Sequence, residues 1–325
     1  MPERILVTGG AGFIGSAFVR RMVEKYPEYN IIVLDKLTYA GNLDNLLPVH
    51  DAPNYRFERG DIAHRETVQR VLEQYAIDAI VNFAAESHVD RSILDPDAFV
   101  HTDVVGLYIL LDVARKVGVQ RLHHVSTDEV YGSIAEGSFR EGDPLEPNSP
   151  YAASKAGGEL MLRAYHVTYG MHTTVTRGSN TFGPYQYPEK IAPFFITEAI
   201  DDQPLPLYGD GMQVRDWLYV DDHCDAIDVV LHRGAPGAIY NVGGEHEMHN
   251  IDVTRFILRA LGKPESLIAF VADRPGHDLR YALDCEKIRR ELGWVPETPF
   301  DEGIEQTVRW YVGNRAWWEP LAKDI

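Results

Sequence analysis

The run Gly9-Gly10-Ala11-Gly12-Phe13-Ile14-Gly15 follows a short apolar stretch, Arg4–Thr8, and opens an amphipathic one, Phe13–Lys25. No other feature confines the fold as much. Gly9 permits a tight strand-to-helix turn, Gly12 lets the backbone approach a pyrophosphate, and Gly15 lets helix and strand pack closely. The unpaired N–H groups of the helix start then face negative phosphates. The same alternation continues downstream. Asn30–Leu34, Tyr55–Glu58, Ala79–Phe83 and Leu122–Ser126 are short and rich in Ile, Val and Leu, with amphipathic segments near His64–Gln74 and Phe99–Lys116 between them. Strands this uniformly apolar are covered on both faces. The class is therefore α/β: a Rossmann-type doubly wound parallel sheet over residues 1–180.

After Asn180 prolines and glycines become frequent, as in Gly183-Pro184, Pro204, Pro206, Gly209 and Gly211. Residues 181–325 read as a smaller mixed α/β domain that binds the substrate and closes over it. Helices are expected near Pro193–Ile200, Asp222–His232, Asp252–Leu261 and Phe300–Trp310. The strand-like Ala238–Val242 is expected to return to the main sheet.

Asp35 ends the second apolar run, 20 residues beyond Gly15. A carboxylate there accepts hydrogen bonds from ribose hydroxyls and repels a 2′-phosphate, so the cofactor is read as NAD rather than NADP. Lys36, directly after it, is the one basic residue that argues the other way. Gly60-Asp61-Ile62 closes the third strand. Asp61 either meets an adenine amino group or caps the next helix. Phe83-Ala84-Ala85-Glu86-Ser87 closes the fourth strand, and its small residues admit close backbone contact.

Thr127-Asp128-Glu129 stands at the end of the fifth strand. Tyr151-Ala152-Ala153-Ser154-Lys155 opens the helix that follows and is the single Tyr-x-x-x-Lys of the chain. Four residues apart, Tyr151 and Lys155 share one helix face. An ammonium and a positive nicotinamide favour the phenolate and bring the tyrosine pKa down toward neutrality. Tyr151 then removes a hydroxyl proton while hydride leaves the same carbon, and Thr127 bonds the same oxygen. Hydride transfer needs no more than these three. Asp128 and Glu129 are either solvated loop acids or a working pair. Adjacent carboxylates in a closed pocket resist joint ionisation, which yields one acid and one base. That pair suits removal of a C–H proton next to a new ketone, with a hydroxyl expelled as water.

Formal net charge is −18, which argues against nucleic acid or an anionic membrane as partner while leaving room for an anionic substrate in a local basic pocket. Cys224 and Cys285 read as reduced thiols of a cytoplasmic protein, and the first residues lack the pattern of a signal peptide. None of the 13 histidines has a metal-like spacing, and no metal is expected. His123 and His124, in the fifth strand, fill space or bond locally. The helix around Val104–Val117 carries a wide apolar face, as does Tyr151–Tyr169. Either these helices pair in a homodimer or the second domain buries them.

The glycine run, Ser126-Thr127-Asp128-Glu129-Val130-Tyr131-Gly132 and the Tyr/Lys segment together resemble the extended short-chain dehydrogenase/reductase superfamily. Within it the chain resembles the dTDP-glucose 4,6-dehydratase family. Further matching segments are Ala85-Glu86-Ser87-His88-Val89-Asp90-Arg91-Ser92, Gly183-Pro184-Tyr185-Gln186-Tyr187-Pro188-Glu189-Lys190, Arg215-Asp216-Trp217-Leu218-Tyr219-Val220-Asp221-Asp222-His223 and Asp273-Arg274-Pro275-Gly276-His277-Asp278-Leu279-Arg280-Tyr281.

That resemblance implies dehydration of dTDP-glucose to dTDP-4-keto-6-deoxyglucose. Tyr151 takes the C4 hydroxyl proton as hydride passes to NAD. Glu129 removes the C5 proton, Asp128 protonates the departing C6 hydroxyl, and hydride returns to C6. It adds Phe13, Ile14, Lys36, Thr38, Ile62, Phe83, Ala84, Ala85, Ser87, Thr102 and Ser126 as cofactor contacts. For the substrate it implies Lys190, Arg215 and Arg274 at the diphosphate, with Ser87, Thr127, Asn180, Ile191, Pro206, Tyr208, Asn250, His277 and Tyr281. Rival readings are a nucleotide-sugar epimerase or decarboxylase on this fold, which has no use for the acid pair, and an NAD-binding sensor, which needs none of the set.

Overall fold

The computed structural model describes residues 3–273 and 276–323. The chain passes through twelve strands: β1 (Arg4–Thr8), β2 (Asn30–Asp35), β3 (Tyr55–Arg59), β4 (Ala79–Asn82), β5 (Arg121–Thr127), β6 (His172–Gly178), β7 (Asn180–Phe182), β8 (Leu205–Tyr208), β9 (Val214–Tyr219), β10 (Ile239–Val242), β11 (Glu247–His249) and β12 (Ile268–Val271). Seven of them form one sheet in the order β10-β6-β5-β4-β1-β2-β3, with every pairing parallel. The order reverses between β1 and β4, and in such sheets the ligand crevice opens at that point, beyond the strands' carboxyl ends.

The sheet is parallel because its strands have no polar face to show. All of β4 is buried, as are β1 and β2 beyond their first residues. On one side pack Phe18, Val19 and Met22 of helix Phe13–Lys25 with Val220, Cys224 and Ile227 of helix Val220–Arg233. On the other lie Val68 and Leu72, Leu107 and Leu111, and Leu162 and Tyr165, from helices Arg65–Gln74, Leu107–Val117 and Pro150–Tyr169. Each such side chain contributes about 1.5–3 kcal/mol on burial.

The expected return of the chain to the main sheet is borne out by β10 beside β6. Helix Val220–Arg233 comes back with it. The C-terminal part is otherwise built on a three-stranded sheet, β11-β9-β7, and a parallel pair, β12-β8. Phe182, Phe195, Trp217, Ile257 and Phe300 share its core.

Two expectations change. The segment Phe99–Lys116 is not one regular helix: Val100–Gly106 forms a π-helical turn before Leu107–Val117. The wider turn carries Asp103 inward, where it accepts Ser154 Oγ–H at 2.6 Å and the Glu86 N–H at 3.1 Å. The wide apolar face also divides. Leu107, Leu110 and Leu111 enter the core, while Val105, Tyr108, Leu160 (59% exposed) and Val167 (66%) stay in the open, uncovered by the C-terminal part.

Candidate active site

The carboxyl ends of the sheet strands open onto a cavity of about 310 Å³. Every residue expected at the cofactor lines it: Gly9, Gly12 and Gly15 with Phe13 and Ile14, then Asp35, Lys36, Thr38, Asp61, Ile62, Phe83, Ala84, Ala85, Ser87, Thr102, Ser126, Tyr151 and Lys155. The glycines match their expected uses. Gly9 has φ +69°, and a Cβ there would lie 2.5 Å from Ala84 N; one on Gly15 would lie 2.3 Å from Gly9 O. At Gly12 the only near atom is Gly9 O at 3.3 Å, so its remaining face is open. Asp35 takes the Ala11 N–H on Oδ2 at 2.9 Å and the Leu37 N–H on Oδ1 at 2.8 Å. One carboxylate thus fixes the loops after β1 and β2, and each oxygen keeps a lone pair. The cation that argued against NAD is engaged, since Lys36 Nζ sits 2.7 Å from Asp61 Oδ2. Asp61 also accepts the Ala63 N–H at 2.8 Å in a local turn, but the next helix, Arg65–Gln74, begins after His64, so Asp61 does not cap it.

The catalytic candidates meet where β5 ends. Thr127 leaves the strand with extended dihedrals and caps the 3-10 turn Asp128–Tyr131. Its Oγ accepts the Glu129 N–H at 3.2 Å and donates to Asp128 Oδ1 at 3.2 Å. It also shares a side-chain hydrogen bond with Tyr151. Tyr151 and Lys155 lie in the first turns of helix Pro150–Tyr169, which starts sharply because Ser149 Oγ accepts the Ala152 N–H at 3.1 Å and Pro150 follows at once. Such a cap is worth about 1 kcal/mol.

Asp128 is 2% exposed, and its Oδ2 has no hydrogen-bond partner among the described residues. Burial, then Glu129 and Asp216, hold its carboxyl well above the usual range, against the pull of Arg215 and Thr127. Burial and Glu129 thus both favour the protonated form of Asp128, the direction the adjacent-carboxylate argument points to. In the protein itself burial, then Glu129 and Asp103, raise the Tyr151 phenol well above its ordinary value. Lys155 does not offset this, because its Nζ donates to the Val125 carbonyl at 2.8 Å and its charge is answered by Asp103 and Glu159.

The substrate candidates fall into two groups. Ser87, Thr127, Asn180, Lys190 and Ile191 line the cavity. Lys190 Nζ donates to Ser87 O at 2.5 Å, joining the two sides of the cleft. Beside it Glu189 bridges Tyr39 OH (3.2 Å) and Arg91 Nε (3.3 Å), with the Arg91 guanidinium 3.9 Å from the Tyr39 ring centre. Pro206, Tyr208, Arg215, Asn250, His277 and Tyr281 are not in the cavity wall. Arg215, 5% exposed, stacks 4.3 Å over the Tyr281 ring and donates to the carbonyls of Val214 (2.8 Å) and Asp278 (2.9 Å). Tyr281 OH donates to Asp278 at 2.6 Å, and His277 Nδ1 lies 2.6 Å from Asp273. Tyr208 OH donates to Asp90 at 3.3 Å. Asn250 leaves Oδ1 buried with no hydrogen-bond partner among the described residues. The charges of Arg215 and Glu129 are felt at Asp128 and Tyr281 respectively, so Arg215 and Tyr281 lie near the acid pair. Arg274 lies outside the described residues.

Sequence reasoning missed Asp103, Glu86, Thr181 and His223. Glu86, Thr181 and His223 line the cavity, and Asp103 lies behind it against Lys155. Asp103 looked like the polar face of an ordinary amphipathic helix, and only the π-turn turns it inward. His123 and His124 bond locally as expected, to Thr174 and Thr176 (2.9 and 3.1 Å) and to Asn82 (2.9 Å).

Against known proteins, residues 6–307 match the family model described as GDP-mannose 4,6 dehydratase. A dTDP-glucose 4,6-dehydratase from Streptomyces niveus is 51% identical, over 98% of this chain and 95% of that protein. The crystal structure of DesIV, a dTDP-glucose 4,6-dehydratase from Streptomyces venezuelae with NAD and dTDP bound, is 55% identical. It superposes with a TM-score of 0.96, covering 98% of this chain and 99% of that one. A UDP-glucose 4-epimerase from Thermus thermophilus in complex with NAD is 33% identical, with a TM-score of 0.89 over 96% and 99% of the two chains. The fold alone therefore does not separate dehydration from epimerisation, and the residues at the end of β5 must.

Proposed function

The chain belongs to the dTDP-glucose 4,6-dehydratase family, and we propose that it converts dTDP-glucose to dTDP-4-keto-6-deoxyglucose through a redox cycle closed within one site. One observation carries the reading. Asp128 is a buried acid with an oxygen that has no hydrogen-bond partner among the described residues, tied through Thr127 to Tyr151 and set beside Glu129. Epimerisation at C4 has no step that consumes such an acid, and decarboxylation has no leaving hydroxyl for it to protonate.

NAD, when bound, reversibly accepts hydride from the sugar and brings a positive nicotinamide ring to Tyr151. Gly9, Gly12 and Gly15 with the helix start hold its diphosphate, and Asp35 holds the adenosine ribose and repels a 2′-phosphate. Tyr151, ionised in that environment with Lys155 nearby, takes the C4 hydroxyl proton. The C4 ketone acidifies the C5 proton, which Glu129 removes. Asp128 protonates the C6 hydroxyl, and water leaves. Glu129 then returns its proton to C5. Lys190, Arg215 and Arg274 offset the substrate diphosphate in a chain of net charge −18. Ser87, Asn180, Ile191, Pro206, Tyr208, Asn250, His277 and Tyr281 complete the nucleotide-sugar site. Residues 1–180 are the cofactor domain and 181–325 the nucleotide-sugar domain, with 220–242 lent back to the sheet.

The open apolar face of Val105, Tyr108, Leu160 and Val167 supports a homodimer built on these two helices. Two buried free thiols, Cys224 and Cys285, accord with a cytoplasmic location, and no described helix is long and apolar enough to cross a membrane. The function is tested by incubation with dTDP-glucose. Loss of one water with no net NADH is expected, and a product of unchanged mass contradicts it.

A further inference from the structure

We propose that the Thr127 hydroxyl carries a proton from Tyr151 back to Asp128 at the end of each turnover, resetting the enzyme without solvent. The inference rests on the dehydration reading above. It begins from the proton count. Tyr151 gains the C4 hydroxyl proton and never returns it to the sugar, because C4 ends as a ketone. Glu129 takes the C5 proton and gives it back. Asp128 loses its proton to the departing water and receives none. Each turnover therefore leaves one proton too many on Tyr151 and one too few on Asp128, although the overall reaction neither takes up nor releases protons.

The geometry supplies the path. A hydroxyl has one hydrogen and two lone pairs. At Thr127 the hydrogen goes to Asp128 Oδ1 at 3.2 Å, one lone pair takes the Glu129 N–H at 3.2 Å, and Tyr151 shares the other bond. The transfer is balanced. The Tyr151 O–H bond breaks as a new Thr127 O–H forms, while the old Thr127 O–H breaks and an Asp128 O–H forms, with no change in oxidation state.

Competing routes are poor. Thr127 and Asp128 are 7% and 2% exposed, and Asp128 Oδ2 has no hydrogen-bond partner among the described residues. Lys155 is directed at the Val125 carbonyl at 2.8 Å rather than across to Asp128. The transfer also runs downhill in charge. It takes the negative charge off a buried group flanked by Glu129 and Asp216 and places it on Tyr151, where only the positive charge brought in with the cofactor offsets burial, Glu129 and Asp103.

The test compares wild type, Thr127→Ser and Thr127→Val, each loaded with NAD, in rapid-quench measurements of product per active site. Thr127→Val should form about one product per site and then slow, with later turnovers roughly 100-fold slower than the first, the scale of losing a positioned proton carrier. Formate or imidazole should restore those later turnovers, and Thr127→Ser should show no burst. If Thr127→Val slows first and later turnovers equally, or forms no product in the first, the relay is wrong. Thr127→Ala serves the same comparison should Thr127→Val fold poorly. If wild type itself yields no dehydrated product, the dehydratase reading fails, and that result is distinct from failure of the relay.

Discussion

Lys155 Nζ donates to the main-chain carbonyl of Val125 at 2.8 Å, so the lysine is held by the same strand that ends in Thr127 and the acid pair. The bond fixes a buried cation two residues upstream of the catalytic turn. It leaves the neutral Tyr151 phenol as the state of the protein on its own, and it makes ionisation of that tyrosine depend on positive charge brought in with the cofactor.

Lys155→Met should cost activity far more than stability. Removing the ammonium takes away the protein's own cation beside Tyr151, and kcat should fall by roughly 100-fold or more. Thermal stability should hold, because burying the ammonium is itself unfavourable. Steady-state rates alongside a melting curve check both halves of the expectation.

Asp128→Asn and Glu129→Gln should stall the cycle after its first half. Oxidation at C4 needs neither acid, whereas elimination needs both. Absorbance at 340 nm should therefore rise on mixing with dTDP-glucose and persist, while dehydrated product forms at least roughly 100-fold more slowly than in wild type. Unchanged product formation in both variants would remove the acids from the mechanism.

Asp103→Asn should shift the acidic limb of the kcat/KM profile. Asp103 accepts from Ser154 Oγ at 2.6 Å and from the Glu86 N–H at 3.1 Å, and its charge helps hold Tyr151 protonated. Neutralising it makes the tyrosine easier to ionise, so the limb should move to lower pH. A limb that stays in place would show that the Asp103 charge is not felt at the base.

Stability should fall as the solution is acidified below the ordinary histidine pKa. His223 is fully buried, bonded to Thr181 at 2.8 Å, and burial pulls its pKa to about 4. An unfolded histidine titrates near 6.5, so between roughly pH 6.5 and 4 the unfolded chain binds the extra proton, and stability drops through that window. Wild type should lose about 3 kcal/mol more across it than His223→Gln. Denaturant melts at several pH values measure the difference, and parallel slopes would contradict it.

Leu160→Glu with Val167→Glu should yield a folded single chain where the wild type sediments as a dimer. Both side chains stand in the open on helix Pro150–Tyr169. A wild type that sediments at the mass of one chain would rule out the proposed helix pairing.

Strands β1, β2 and β4 were legible because they are short aliphatic runs with nothing polar to alternate, and because one glycine pattern fixes the first turn, whereas the threonine-rich β6 was not. The glycine turn and Asp35 were legible for the same reason, since strand ends announce where such a site lies, whereas Thr38, Ile62, Thr102 and Ser126 came from the family resemblance. Other parts depend on contacts between distant residues. Asp103 needed a π-turn that no residue spacing signals. The bridge from Tyr39 and Arg91 to Glu189 joins segments some 150 and 98 positions apart, a contact no local pattern signals. The pair β8 and β12 hides behind Pro206 and a four-residue run too short to assign. The spacing of Tyr151 and Lys155 places them on one face without saying which acceptor the lysine chooses.

The central claim is that the redox step is transient and closes on the same sugar. It is tested most directly with dTDP-glucose carrying deuterium at C4, turned over by the NAD-loaded enzyme, with the product examined by mass and proton NMR. The deuterium should reappear in the C6 methyl group of a product lighter by one water. Deuterium lost to solvent, or retained at C4 in a product of unchanged mass, would contradict the account.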